Sequence, residues 1–229
     1  MPNVVSSRHR PNLAQRKQQF VRAEASAAIL ELVLDRGFEN VTADDMVEVT
    51  GLSRRTFFRY FDSKEDVLFV TMEQVGAEIA DTIGTRPAHE SVWDALRESL
   101  MAVVGGRTAD DRSKRLSRLL FETPALRARH LDKQDRWQEL MAEQVARRLG
   151  VRANDGLARL YAALALAALD TAIKEWHNSQ RPLTTLIDQA FESARSAMGP
   201  ALKTSVGLPV PSRQPVRRRR TVRGRRIKP

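Results

Sequence analysis

The residues best equipped for chemistry lie in one stretch, TADDMVEVTGLSRRTFFRYFDSK, from Thr42 to Lys64. Its second helix, Arg54 to Phe61, carries Arg54, Arg55 and Arg59 with Phe58 and Tyr60, and no acid. On a helical wheel Arg55 and Arg59 fall roughly opposite Phe57 and Phe61. Arg54 and Phe58 take one shoulder, Thr56 and Tyr60 the other. Guanidinium forks match guanine O6 and N7, and apolar edges touch thymine methyls, so such an outward face suits the major groove of double-stranded DNA. Lys64, just after Ser63, would stand in the first turn of a further helix beside unbonded backbone amides, a ready phosphate clamp. A small basic cluster can equally be a solvated face, so the case depends on the elements around it.

Those elements are written in caps. Thr42 and Asp45 form a capping-box pattern, which starts a helix whose inward residues are Met46 and Val49. Gly51 supplies a left-handed stop, Leu52 plugs the corner, and Ser53 caps the next helix, which buries Phe57 and Phe61. Upstream, a helix over about 15–36 with Ala23, Ala27, Leu30 and Leu34 inward ends at Gly37, and Phe38 and Val41 pack it onto the pair. This makes a three-helix helix-turn-helix DNA-binding domain over 15–62. Residues 1–14, with Arg8 and Arg10 and no acid, form a flexible basic arm. From Ser63 a helix is expected to run to about Ile83 as one rigid rod leading into the rest of the chain.

The rest reads as helices too, so the fold class is all-α, with a C-terminal helical ligand-binding and dimerisation domain over 63–198. Helices are expected over about 90–104, from a Thr108/Asp111 cap to near Pro124, over about 124–149, from a cap at Asn154 or Asp155 to about Trp176, and over about 183–198. The last two hold more apolar surface than one small domain needs, which a homodimer through about 155–198 explains. A small-molecule effector would meet aromatic and sulfur side chains, for which the candidates are Trp93, Phe121, Trp137, Met141, Tyr161 and Trp176. The same residues could be plain core. His130 and His177 could add polar contacts or be ordinary core-edge histidines.

Composition bounds the alternatives. The formal charge of +10 belongs to the C-terminus, because ten of the 38 Lys and Arg lie from Lys203 onward with no acid among them. The other 28 balance all 28 Asp and Glu. Residues 199–229 therefore read as a disordered Arg-rich tail, able to touch nucleic acid non-specifically or only to solubilise. The absence of cysteine excludes disulfides and thiolate sites and suits a reducing cytoplasm. No signal-peptide pattern appears, and the run from Leu160 to Leu169 is too short to span a membrane. His9, His89, His130 and His177 lack metal-ligand spacing, and there is no phosphate-binding glycine loop or Gly-x-Ser-x-Gly elbow, so neither an enzyme nor a bound cofactor is expected. Two other classes stay open: a ligand-independent architectural DNA-binding protein using its tail, and a helical adaptor whose basic helix is mere surface.

Gly37-Phe38, Thr42, Gly51-Leu52-Ser53, Thr56-Phe57-Phe58, Tyr60-Phe61 and Ser63-Lys64-Glu65 together resemble the TetR family of bacterial transcription regulators, over about residues 16–69. Within it, RRTFFRYF and ETPALRARHLDKQDRWQELMAEQVARRLG look like a subgroup of actinobacterial regulators that includes the mycofactocin-type members. Phe58 stands where many members carry a tyrosine that reaches phosphate, so the ring remains and the hydroxyl is lost. The resemblance implies a homodimeric, nucleoid-associated repressor whose body encloses an effector cavity. The effector would move the connecting helix and with it the DNA heads, and an acyl thioester is the ligand the subgroup suggests.

Overall fold

Caps decide where the helices begin. The computed structural model describes residues 12–72, 74–107 and 111–199, and among these every regular element is helical. The basic arm before Asn12, the Thr108 cap and the arginine-rich tail after Gly199 lie outside the described residues.

Helix α1 (Leu13–Arg36) starts earlier than Gln15 because Asn12 and Gln15 form a capping box, each side chain bonding the other's backbone N–H at 2.9 and 2.8 Å. Its buried stripe is Ala25, Ile29 and Val33 with Ser26 and Leu30. Ala23 and Ala27, expected inward, are exposed. Alanine sits on either face at little cost, so the branched Ile29 and Val33 decide which side turns in. Helices α2 (Ala43–Thr50) and α3 (Arg54–Tyr60) follow. Met46 is fully buried, but Val49 is 42% exposed. An eight-residue helix resting on α1 presents only a narrow inner face, and Met46 fills it.

The expected rod from Ser63 to Ile83 is broken. Helix α4 (Lys64–Phe69) gives way to a single 3-10 turn at Val70–Met72, and α5 (Val75–Thr85) restarts beyond it. Two remote contacts account for the break. The Ser26 hydroxyl of α1 donates to the Val67 carbonyl at 2.6 Å, engaging an acceptor that residue 71 would use in a continuous helix. At the start of α5 the Trp137 indole lies so close over Gly76 that an added Cβ would overlap it, which seats α5 on the later helix that carries Trp137.

Helix α6 (Val92–Leu100) continues as one π turn over Met101–Gly105, followed by α7 (Asp111–Glu122), α8 (Pro124–Leu149), α9 (Gly156–His177) and α10 (Leu183–Met198). Helix α8 packs against α5, α7 and α9, and α9 against α10. By length and composition α9 could cross a membrane, contrary to the reading of its apolar run as too short. In this fold it is a core helix, with Ala158, Ala162, Ala165 and Leu169 buried among the neighbouring helices.

There are two apolar cores. One gathers α1–α4 and takes Leu120 from α7 and Leu126 from α8; the other is built from α5, α6, α8, α9 and α10. Met72 and Phe121 pack against both.

Candidate nucleic-acid interface and an internal cavity

The α2–α3 pair is built by its ends. Thr42 Oγ1 accepts from the Asp45 amide at 3.2 Å, and Asp45 returns the bond by accepting from the Thr42 amide at 2.7 Å. Hydrogen bonds from the Thr42 side chain and then its backbone hold the Asp45 carboxyl below the ordinary carboxylate range. Gly51 turns the chain at φ 65°, a conformation costly for a residue with a Cβ. Ser53 Oγ accepts from the Thr56 amide at 3.2 Å and donates to the Thr56 hydroxyl at 2.8 Å. Phe57 and Phe61 are each 1% exposed with ring centroids 5.1 Å apart, and they fix the rotation of α3.

That rotation leaves Arg54, Arg55, Phe58 and Arg59 exposed, with Thr56 and Tyr60 half-buried. The three arginines are not equivalent. Arg54 is ion-paired with Asp44 of α2 and lies 5.6 Å over the Phe58 ring. The acid-free character of α3 thus does not extend to the surface it shares with α2. Arg59 lies 5.0 Å over its neighbour Tyr60 and donates to that hydroxyl at 3.4 Å. Among the described residues Arg55 has no ion-pair partner, so its fork is open to a ligand.

At α4, Ser63 caps the helix by accepting from the Asp66 amide at 3.2 Å. Lys64 does not point openly outward, because its Nζ lies 4.2 Å from the Phe38 ring centroid. A cation unforeseen in the sequence stands beside the same cap: Arg129 of α8 reaches Ser63 Oγ and Asp66 at 3.4 Å each. Nothing local could have signalled it, because it arrives from a helix packed against α4.

The effector candidates divide. Phe121, Trp137 and Trp176 line the inner cavity, a partly open space of about 370 Å³ at the seam of the two cores. Leu30 of α1, Met72 and Val75 at the helix break, and Leu116 and Leu120 of α7 complete its wall on the head side. Trp93, Met141 and Tyr161 lie outside that wall. Trp93 donates to the Phe191 carbonyl at 3.2 Å with its ring 4.5 Å from that of Phe191, so it is a core staple. Met141 and Tyr161 are likewise buried in the body core, and burial pushes the Tyr161 phenol up.

A second, outer cleft of about 480 Å³ shares Phe121, His130 and Gln134 with the inner cavity. Phe121 stands between two histidines, 4.8 Å from His130 and 5.5 Å from His177 by ring centroids. Burial pushes the pKa of both histidines down, so the neutral form is favoured. His177 bonds Ser117 Oγ at 2.9 Å through Nε2, and Arg118 donates to its carbonyl. Among the described residues no group of three or more His, Asp or Glu suits a metal ion.

Residues 26–71 match the family model of bacterial regulatory proteins of the tetR family, and residues 90–199 match that of the MftR C-terminal domain. The transcriptional regulator TcmR of Streptomyces glaucescens is 28% identical over 210 residues, 88% of this chain and 92% of that protein. MftR of Mycobacterium tuberculosis, named for regulating mycofactocin biosynthesis, is 28% identical over 182 residues, 77% of this chain and 90% of that protein. Among solved structures, the regulator FadR of Bacillus subtilis, in complex with stearoyl-CoA, superposes with a TM-score of 0.54 at 16% identity. The match covers 75% of this chain and 96% of that one.

Proposed function

Because the chain belongs to the TetR family of transcription regulators, with a mycofactocin-type C-terminal part, we propose that it is a ligand-responsive repressor binding a palindromic operator as a homodimer. The observation that carries this reading is the open fork of Arg55, beside Arg59 and Phe58, on a helix whose rotation is fixed by Phe57 and Phe61. In the proposed complex α3 enters the major groove, with Arg55 reading base edges and Phe58 touching a thymine methyl. Arg54, Thr56, Arg59 and Tyr60 flank the contact, while the Thr42 and Ser53 caps, Lys64 and Arg129 meet phosphate.

The functional division falls at residues 62 and 63, with a DNA-binding head before it and an effector-binding and dimerising body after. Dimerisation uses α9 and α10, where Leu157 and Leu160 are 39% and 53% exposed on one helix. Two-fold symmetry of the protein would be mirrored in the operator. The setting is the bacterial cytoplasm, on the nucleoid.

A bulky, mostly apolar effector would occupy the inner cavity, which touches the head directly through Leu30 and indirectly through Leu120, an α7 residue packed into the head core. Helix α7 carries the coupling. Arg115 donates to the Leu34 carbonyl of α1 at 2.6 Å and Arg112 pairs with Glu31, while Leu116 and Phe121 wall the cavity. The 3-10 turn at Val70–Met72, where α4 ends, provides the joint about which α4 moves against α5. An effector acts only through unequal affinity for the DNA-fit and DNA-unfit states, and couplings of about 1–3 kcal/mol are typical.

The test is selection of duplex DNA from a random pool by the full chain, followed by sedimentation of the bound species. The expected result is an enriched palindrome bound by an even number of chains. Enrichment of no sequence, with uniform coating, would favour the architectural alternative.

A further inference from the structure

We propose that the inner cavity and the outer cleft form one bipartite effector site, joined at His130, that takes an uncharged amphiphile: an apolar body inside and a neutral hydrogen-bonding head against the imidazole. The proposal rests on the effector reading of the body and names the chemical class it admits.

The geometry begins with His130. It is 5% exposed, and among the described residues neither of its buried ring nitrogens has a hydrogen-bond partner. Such atoms are costly to leave unpaired, and a hydrogen-bonding ligand at the ring would remove that cost. A neutral imidazole has one donor and one acceptor nitrogen, so it can serve a hydroxyl, amine or carbonyl group. His130 also belongs to the walls of both spaces, with Phe121 and Gln134, so its ring is within reach of a molecule in either.

Charge decides the head. At the inner cavity Arg107 is paired with Glu78 and Arg112 with Glu31, so the charge of each guanidinium is already balanced by a carboxylate beside it. The outer cleft carries Glu122, Asp135 and Asp170 against Arg127 and Lys174, and Lys174 is already held by Asp170 at 2.6 Å. Anionic heads therefore meet a surface with excess acid. This argues against an acyl thioester, whose nucleotide part carries several negative charges, as the ligand of this chain.

Two fluorescent probes share one ring system and differ by one charged group: N-phenyl-1-naphthylamine, which is uncharged, and 8-anilinonaphthalene-1-sulfonate. Each is titrated into the full chain, with energy transfer from Trp137 and Trp176 at the inner wall reporting occupancy. The uncharged probe should bind at least about tenfold more tightly than the sulfonate. His130→Phe should weaken the uncharged probe by about tenfold while leaving the melting temperature unchanged or raised, because it removes two unpaired buried nitrogens. His130→Gln, which keeps donor and acceptor, should restore part of that loss. Equal affinity for the sulfonate, failure of the uncharged probe to bind, or indifference of its affinity to His130→Phe each overturns the proposal. DNA affinity is read in the same titration with the selected duplex. Binding at His130 that leaves DNA affinity unchanged overturns the effector reading and upholds the site.

Discussion

In the head, the groups proposed to meet a ligand stand outside a filled core; in the body, the proposed ones line a hollow beside one. Phe57 and Phe61 close the head so that Arg55 and Phe58 can face outward on a fixed helix. Phe121, Trp137 and Trp176 instead stand around a space, and His130 is buried with its nitrogens unpaired. An interface for a rigid duplex needs side chains held at fixed spacing, which a short capped helix supplies. A site for a small apolar molecule needs volume inside the protein, which is supplied by helices that do not close completely on one another. The two regions are joined because Met72 and Phe121 pack against both cores and α7 holds α1 by Arg112 and Arg115.

The largest expected effect tests whether that union is real. Phe57→Ala should cost about 3–5 kcal/mol. Because Leu120 and Leu126 belong to the head core, calorimetry should show the whole chain melting in one lowered transition. Two separated transitions would break the account of a shared seam. Gly76→Ala should cost about 1–3 kcal/mol, since a Cβ there overlaps the Trp137 indole, and tryptophan emission should shift as that ring is displaced. Its effect on N-phenyl-1-naphthylamine binding should exceed its effect on duplex affinity. The reverse order would place the strain in the head.

A pH series separates the regions again. Burial holds the pKa of His130 and His177 below the ordinary histidine value of 6.5, so the unfolded chain takes up protons first as pH falls. The stabilising contribution is present above that value and is lost as pH drops below it. The melting temperature should therefore fall between pH 7 and pH 5, and by less in His130→Phe. An unchanged slope in that variant would remove His130 as a contributor. The smallest effect is expected from Lys64→Ala, which should weaken specific and random duplexes alike and reduce the salt slope by about 1. A loss confined to the selected sequence would move Lys64 from phosphate to base contact.

The head was legible in the sequence because its signals are local. The Thr42/Asp45 box, the Gly51 turn and the Ser53 cap each span a few residues, and the structure carries all three. Local signals are ambiguous elsewhere: alanines at 23 and 27 mark no face, and a β-branched residue at 49 on a two-turn helix does not have to be buried. The break between α4 and α5 could not be read at all, because it depends on Ser26 meeting Val67 and Trp137 meeting Gly76 across long stretches of chain. The cavity falls between these cases. Aromatic type singled out Phe121, Trp137 and Trp176, but the same criterion picked Trp93, which packs on Phe191. Helical spacing tells which residues turn inward and not which of them face a hollow. Arg54 was legible as a cation, while its pairing with Asp44 depends on how α2 crosses α3.

The central claim is that the open guanidinium of Arg55 reads sequence on behalf of a regulator. The most direct measurement is fluorescence anisotropy of wild type and Arg55→Ala on the selected palindrome and on a shuffled duplex at one fixed salt concentration. The account predicts a loss of about 1–3 kcal/mol on the palindrome, with little change on the shuffled duplex. Equal losses on the two duplexes, or a wild type that does not distinguish them, would contradict it.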